Sequence, residues 1–365
     1  VAVLAFLIGA VLVGATLISA IRTFVVPRGI QDRLTTVVFR TMRRVFDLFA
    51  YRMRSFEARD RLMAFFAPIS LLTLPAVWLT IILTGYTAMF WALGVSPLER
   101  AVLTSGSSLL TLGFAPVRGI GQTLLAFSEA AIGLTLLALL IAYLPTMYAA
   151  FARRETQVTL LETAAGSPPS PVTIFIRAWV IGELDRLTEL WIRWQVWFAD
   201  ISESHTSLTP LIFYRSPQPD RSWVTAAGVM LDAAALAAST LDRPRNPEAE
   251  LMIRSGYLAL RHISEVLGVP FHRDPHFPGQ PISVSRAEYD EAYDRLAAAG
   301  MPLKPDRDAC WTDFAGWRVN YDDVLIALAG LTMAPPAPWS SDRAPEWRLP
   351  ILRRGGRIMS RTPME

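Results

Sequence analysis

Of 365 residues only one is cysteine and four are histidine, and Lys304 is the only lysine. The lone Cys310 excludes an internal disulfide and fits a reducing compartment as a free, inert thiol. With almost all basic charge on arginine and a formal net charge of only +3, the bias reads as compositional drift and points to no nucleic-acid partner. Catalytic signatures are missing too. No strand runs into Gly-x-Gly-x-x-Gly, and there is no phosphate loop, no His-Glu-x-x-His and no nucleophile with a paired base, so neither an enzyme nor an organic cofactor is expected.

Charge is absent over three long stretches, in a chain that is 52% hydrophobic. Val1 to Ile21 is uncharged and, at about 1.5 Å per residue, covers a hydrocarbon core of about 30 Å. It has no basic leader and no small-x-small cleavage site, so it is expected to stay as an anchor. Leu62 to Leu98 is the second stretch, with Pro68 and Pro75 as candidate kinks, and Ala130 to Ala152 is the third, closed by Arg153-Arg154-Glu155. Three spanning helices are expected.

Arginine distribution sets their direction. Between Arg22 and Arg61 there are ten Arg and four acids, including Arg28, whereas the connection between the second and third stretches carries Glu99, Arg100, Arg118 and Glu129. The first connection is therefore expected in the cytoplasm of an inner membrane, with the N-terminus and Ser96 to Gly121 outside and everything after Arg153 cytoplasmic. Within the first connection Leu34, Val38, Met42, Val45, Phe49, Met53 and Phe56 recur every three or four residues, which predicts an amphipathic helix. It would lie on the anionic leaflet or pack on the cytoplasmic domain.

The outer connection holds "SSLLTLGFAP" (107–116). Glu99 to Leu110 is the length of a short helix that enters a membrane without crossing it, and "TLGFA" would then return to the surface, which makes a re-entrant loop. Non-helical backbone at that depth persists only where it is buried in protein or lines a water-filled path. An ordinary outer hairpin is the alternative.

This order of helix, short helix, loop and helix resembles the potassium-channel pore-loop superfamily, whose filter reads Thr-Val-Gly-Tyr-Gly. The matching residues are Thr111, Leu112, Gly113, Phe114 and Ala115, and the resemblance covers roughly residues 62 to 155. It implies potassium ions held in the filter by the backbone carbonyls of Thr111 to Phe114 and the Thr111 hydroxyl. It also implies an inner helix in the third stretch, with Gly133 and Pro145 as gating hinges. The ending "YLPTMYAAFARRE" is similar to bacterial two-pore-like ion-channel sequences. The pattern departs at Ala115 for the second glycine, at Phe114 for tyrosine, and at Pro116 for the acid that usually follows; all three bear on potassium selectivity. One loop cannot enclose a path, so a homotetramer within the bilayer is implied.

Beyond the third stretch the pattern is helical without strands: 174–202, 222–241, 248–267, 286–299 with a Ser285/Glu288 capping box, and 308–331. Nucleotide-binding and cyclic-nucleotide regulatory domains are excluded by the missing strands. His272, Asp274 and His276 have metal-ligand residue types, but Pro275 breaks the helix that would align them, so no metal site is expected. His205 in "SESHTS" reads as a hydrogen-bonded corner or a ligand contact. Trp191, Trp194, Trp197 and Phe198 read as core or interface anchors.

The expected organisation is an all-α membrane protein: an N-terminal transmembrane helix (1–26), a cytoplasmic Arg-rich amphipathic helix (27–61), a pore domain (62–155) of helix, re-entrant pore loop and inner helix, a linker (156–170), a helical cytoplasmic domain (171–333) and an irregular Pro/Arg tail (334–365). The expected function is a homotetrameric cation channel, with potassium as the ion and the cytoplasmic domain assembling or gating it, open to a ligand of unidentified class. A membrane-anchored scaffold whose helical domain binds a partner, or a membrane enzyme using the His205 region, are the alternatives.

Overall fold

The computed structural model describes residues 1–26 and 32–344. Arg28 and most of the expected tail, with Arg353, Arg354 and Arg357, lie outside the described residues. Among those described there are thirteen α-helices and no strand, beyond one isolated bridge between Leu241 and Leu303. The chain divides into two compact units. The first comprises residues 1–156 and 203–219, and the second takes 157–202 and the described residues from Asp220 onward.

The first unit contains α1 (Ala2–Phe24), α2 (Arg33–Ala50), α3 (Phe56–Ala64), α4 (Phe66–Ala92), α5 (Leu98–Leu109) and most of α6 (Ile120–Ala165). Small residues let α1 and α4 meet closely. A Cβ on Gly9 would lie 2.4 Å from the Gly85 carbonyl oxygen, and one on Gly85 would lie 2.9 Å from that of Gly9, the small-residue contact by which apolar helices associate where lipid offers no hydrophobic drive. Further along, Trp78 Nε1 donates to Ser19 Oγ at 3.1 Å, and Ser19 Oγ donates to Asp32 Oδ2 at 2.6 Å. Asp32 also caps α2 by accepting from the Thr35 N–H, so one carboxylate ties the end of α1 to the start of α2. Gly9→Leu or Gly85→Leu is expected to force this crossing apart and cost about 1–3 kcal/mol by overpacking. Gly14, which has open space where its Cβ would be, is the control: Gly14→Leu should melt with the parent in detergent, and the other two should melt lower.

The Arg-rich connection is two helices, not one. Ser55 accepts from the Ala58 N–H and starts a second helix. The α2 side chains split between two faces: Val38 and Phe46 are buried, with the Phe46 and Phe39 rings edge-on to Phe66 of α4, while Val37, Val45, Leu48 and Phe49 stay exposed. Residues 203–219 also belong to this unit. The buried Arg154 donates to the carbonyls of Leu211 at 2.9 Å and Tyr214 at 2.7 Å, and Arg215 pairs with Asp60.

The second unit holds α7 (Pro171–Val180), most of α8 (Leu187–Ser207), α9 (Trp223–Thr240), α10 (Pro247–Leu267), α11 (Arg286–Ala298), α12 (Arg307–Arg318) and α13 (Asp322–Thr332). Three expectations are corrected here. Residues 156–165, expected in the linker, continue α6 as helix. The helix expected over 174–202 is broken where the chain turns at Gly182 (φ +73°). The one expected over 308–331 is broken after Arg318, which lets Arg318 and Tyr321 reach Asp232 of α9 while Asp322 pairs with Arg318. Ser285 and Glu288 form the full capping box at the start of α11.

Among the described residues, four helical stretches are long and apolar enough to cross a membrane: α1, Phe56–Ala92, α6 and α9. The last is apolar for a different reason. Of its apolar window 89% is buried inside the protein, under α7, α10, α12 and α13, so α9 is the central core helix of its unit, apolar on all sides because it is covered on all sides.

Candidate functional site

The segment between α4 and α6 begins with α5, whose hydroxyls are satisfied without water. Thr104 Oγ1 donates to the Arg100 carbonyl at 2.8 Å and Ser108 Oγ to the Thr104 carbonyl at 2.9 Å, the back-bonding that lets Ser and Thr sit in a helix. Ala101, Thr104, Ser105, Ser107 and Leu109 form its buried face. At its C-terminal end the helix dipole presents partial negative charge, a favourable place for a cation.

The loop that follows is hydrogen-bonded on one side only. The N–H groups of Leu112 and Gly113 point back at the Ser107 carbonyl (2.8 and 3.4 Å), that of Thr111 at the Ser108 carbonyl (3.0 Å), and that of Ala115 at Ser107 Oγ (3.1 Å). Among the described residues no hydrogen bond is accepted by the carbonyls of Thr111, Leu112, Gly113 or Phe114. Backbone φ is positive at Thr111 (+56°) and Gly113 (+71°), and the Leu112 and Phe114 side chains are about 60% exposed, at 61% and 60%. Ala115 does not adopt the positive φ that glycine has at the matching family position. Its N–H is taken up by Ser107 instead, so the departure from glycine carries no backbone strain here.

Gly133 lies against the end of α5. A Cβ there would be 2.2 Å from the Leu109 carbonyl oxygen, so the absence of a side chain sets the distance between α5 and α6 two residues before the loop begins. Pro145 is inside α6, twelve residues further on and about 18 Å away at 1.5 Å per residue. The loop and Gly133 are thus brought together, and Pro145 stands apart from both.

Sequence reasoning counted Glu129 among the charges of the outer connection. It is instead fully buried on α6, because that helix starts ten residues before the uncharged run. Ser105 Oγ lies 2.5 Å from Glu129 Oε1 and 3.2 Å from the Leu83 carbonyl oxygen. Ser107, which ties down the loop, was likewise not singled out. The available signal was a lone acid one residue before the third uncharged stretch, paired with a Ser-Gly-Ser-Ser run in the preceding short helix.

The other candidates are engaged in structure. His205 is buried, with Nε2 3.2 Å from Arg154 Nη1 and Nδ1 3.1 Å from Ser204 Oγ. Arginine has no acceptor, so Nε2 accepts there and the ring is neutral, with its proton on Nδ1. His272 Nδ1 lies 3.1 Å from Asp323 Oδ2 on the surface, and His276 pairs loosely with Asp274; no group of three or more potential metal ligands occurs among the described residues. Trp191, Trp194, Trp197 and Phe198 are buried core of the second unit. Burial pushes the Cys310 thiol up, away from the thiolate that reactivity needs.

Compared with known protein families, with curated proteins and with solved structures, the chain matches none.

Proposed function

We propose that four copies of this chain form a cation channel, with potassium as the ion carried and Thr111–Ala115 as the filter. The observation that carries the proposal is the one-sided bonding of that loop: the N–H groups of Thr111, Leu112, Gly113 and Ala115 are spent on α5, and among the described residues no hydrogen bond is accepted by four successive carbonyls. At membrane depth each such carbonyl would cost several kcal/mol. Around a four-fold axis they replace an ion's hydration shell.

On this reading α1, α4 and α6 cross the inner membrane, α5 enters it from outside, and the second unit lies in the cytoplasm, where it assembles or gates the pore and receives any ligand. The exposed apolar row on α2 meets the lipid surface. Phe127, Leu134, Ile141 and Tyr148, all exposed, recur every seven residues along α6 and give one apolar stripe for neighbouring copies or lipid. The resemblance to the potassium-channel pore-loop superfamily supports the same assignment. Gly133 and Pro145 are its hinges, and bending at Gly133 would move α6 against the carbonyl at the base of the filter.

The test is reconstitution, with cation flux into proteoliposomes and particles of four-fold symmetry expected together. A dimer without a central path and without flux would leave the scaffold reading in its place. Orientation is tested separately. A cysteine at Ser96 should react with an impermeant thiol reagent from outside intact cells, and one at Ser55 should not; labelling at Ser55 would overturn the topology and the re-entrant loop with it.

A further inference from the structure

Among the described residues, Glu129 is the one acidic side chain of the first unit that is fully buried, and it has no cationic partner there. Its Oε2 has no hydrogen-bond partner, and its Oε1 meets only Ser105. Ser105 Oγ stands between two oxygens, Glu129 Oε1 at 2.5 Å and the Leu83 carbonyl at 3.2 Å. A serine hydroxyl has one proton to give. If that proton goes to Leu83, an ionised Glu129 would press a negative oxygen against a lone pair at 2.5 Å. A neutral carboxyl group donates to Ser105 Oγ instead, and both contacts are made. The neutral form also leaves Oε2 as an unpaired carbonyl-type oxygen, where the ionised form would leave charge in an apolar span with at most one hydrogen bond, from Ser105, and no countercharge.

We propose that Glu129 is a positioning residue that holds a proton and, through Ser105, fixes α5 and the filter against α6. Ser105 is two residues from Ser107, which carries the Leu112, Gly113 and Ala115 N–H groups, so the bond at Glu129 sets where the filter backbone is anchored. The titratable groups on the packed elements are few. Tyr86 is the only one on α4; its hydroxyl is 2.9 Å from Ser128 Oγ, and it lies within electrostatic reach of Glu129. On α5 there are Glu99 and Arg100, both in the first turn, and the next on α6 is Tyr143. Ionising Glu129 at high pH would remove the donor and loosen the filter.

The effect on flux rests on the channel reading; the protonation does not. In the full-length protein in lipid, the infrared spectrum at neutral pH should contain a carboxylic-acid carbonyl band that is missing from Glu129→Gln. A spectrum in which that substitution removes only ionised carboxylate bands overturns the proposal. In flux, Glu129→Gln, whose amide still donates to Ser105, should conduct like the parent but lose the parent's decline at high pH. Glu129→Leu and Ser105→Ala should each lower flux by about tenfold, the effect of one buried hydrogen bond. Identical pH profiles for the parent and Glu129→Gln would overturn the positioning role. A parent with no flux would sink the channel reading alone, with the infrared band still deciding the Glu129–Ser105 bond.

Discussion

Gly113→Ala is expected to abolish cation flux while the protein still assembles. Its φ is +71°, and nothing lies within 4 Å of the place a Cβ would take, so the substitution meets no steric obstacle from neighbouring groups. The penalty is in the backbone alone: a left-handed conformation costs an L-residue about 1–2 kcal/mol, and a symmetric filter would incur it four times around one axis. Relaxing φ would rotate the adjoining peptide planes and turn their carbonyls off the axis, while the packing of α1, α4 and α6 is untouched. Reconstituted flux measured beside native-gel assembly separates the two effects. Ala115→Gly is the matched control, since that residue has no positive φ, and it is expected to keep flux. Parent-like conduction by Gly113→Ala would show that "TLGFA" is an ordinary loop.

The helical class and the apolar stretches were legible because both depend on short-range pattern. Uncharged runs of about twenty residues can satisfy their backbone in lipid only as helix, and the Ser285/Glu288 pair announces its helix start by spacing alone. What escaped is what depends on contacts between distant residues. The helix expected over 174–202 breaks at the Gly182 turn, and the one expected over 308–331 breaks after Arg318, whose side chain reaches Asp232, 86 residues away in the chain. The apolar α9 satisfies the same length and composition test as α1, and only its cover of neighbouring helices distinguishes a core helix from a span. In the candidate site the loop and Gly133 stood out by residue type. Glu129 did not, since a lone acid beside an apolar run looks like the helix's polar boundary until burial is known. The one-sided bonding of the loop was also beyond the sequence, because Ser107 resembles its neighbours Ser105 and Ser108 until their partners are seen.

The largest loss of stability is expected at Arg318. Its side chain is fully buried, with Nη1 donating to Asp232 Oδ1 at 2.6 Å, Nε to Asp322 Oδ1 at 2.6 Å and Nη2 to the Trp339 carbonyl at 2.6 Å. Tyr321 Oη adds a bond to Asp232 at 2.9 Å, and Ser283 Oγ one to Asp322 at 2.7 Å. One guanidinium thus joins α9, α12, α13 and the segment after α13. Burial works against its charge, but the Asp232 and Asp322 carboxylates outweigh this and hold Arg318 above its ordinary range. Arg318→Ala leaves two buried carboxylates facing one another, and removing one partner of such a cluster costs about 3–5 kcal/mol. For a unit of this size that is a fall in melting temperature on the order of 10 °C. The deficit should depend on pH with a definite sign. Burial already pushes the Asp232 carboxyl up, and Arg318, helped by the Tyr321 hydrogen bond, opposes it. Without the arginine, the folded-state pKa of Asp232 rises further above the unfolded value. Its favourable contribution is fully present below the unfolded pKa and is lost as pH rises through the folded one, so the variant should lie nearer the parent in acid than in mild alkali. Melting followed by tryptophan fluorescence across that range is the measurement. A deficit that does not change with pH would mean that the loss comes from packing and the Trp339 bond, and that the two aspartates are not left charged.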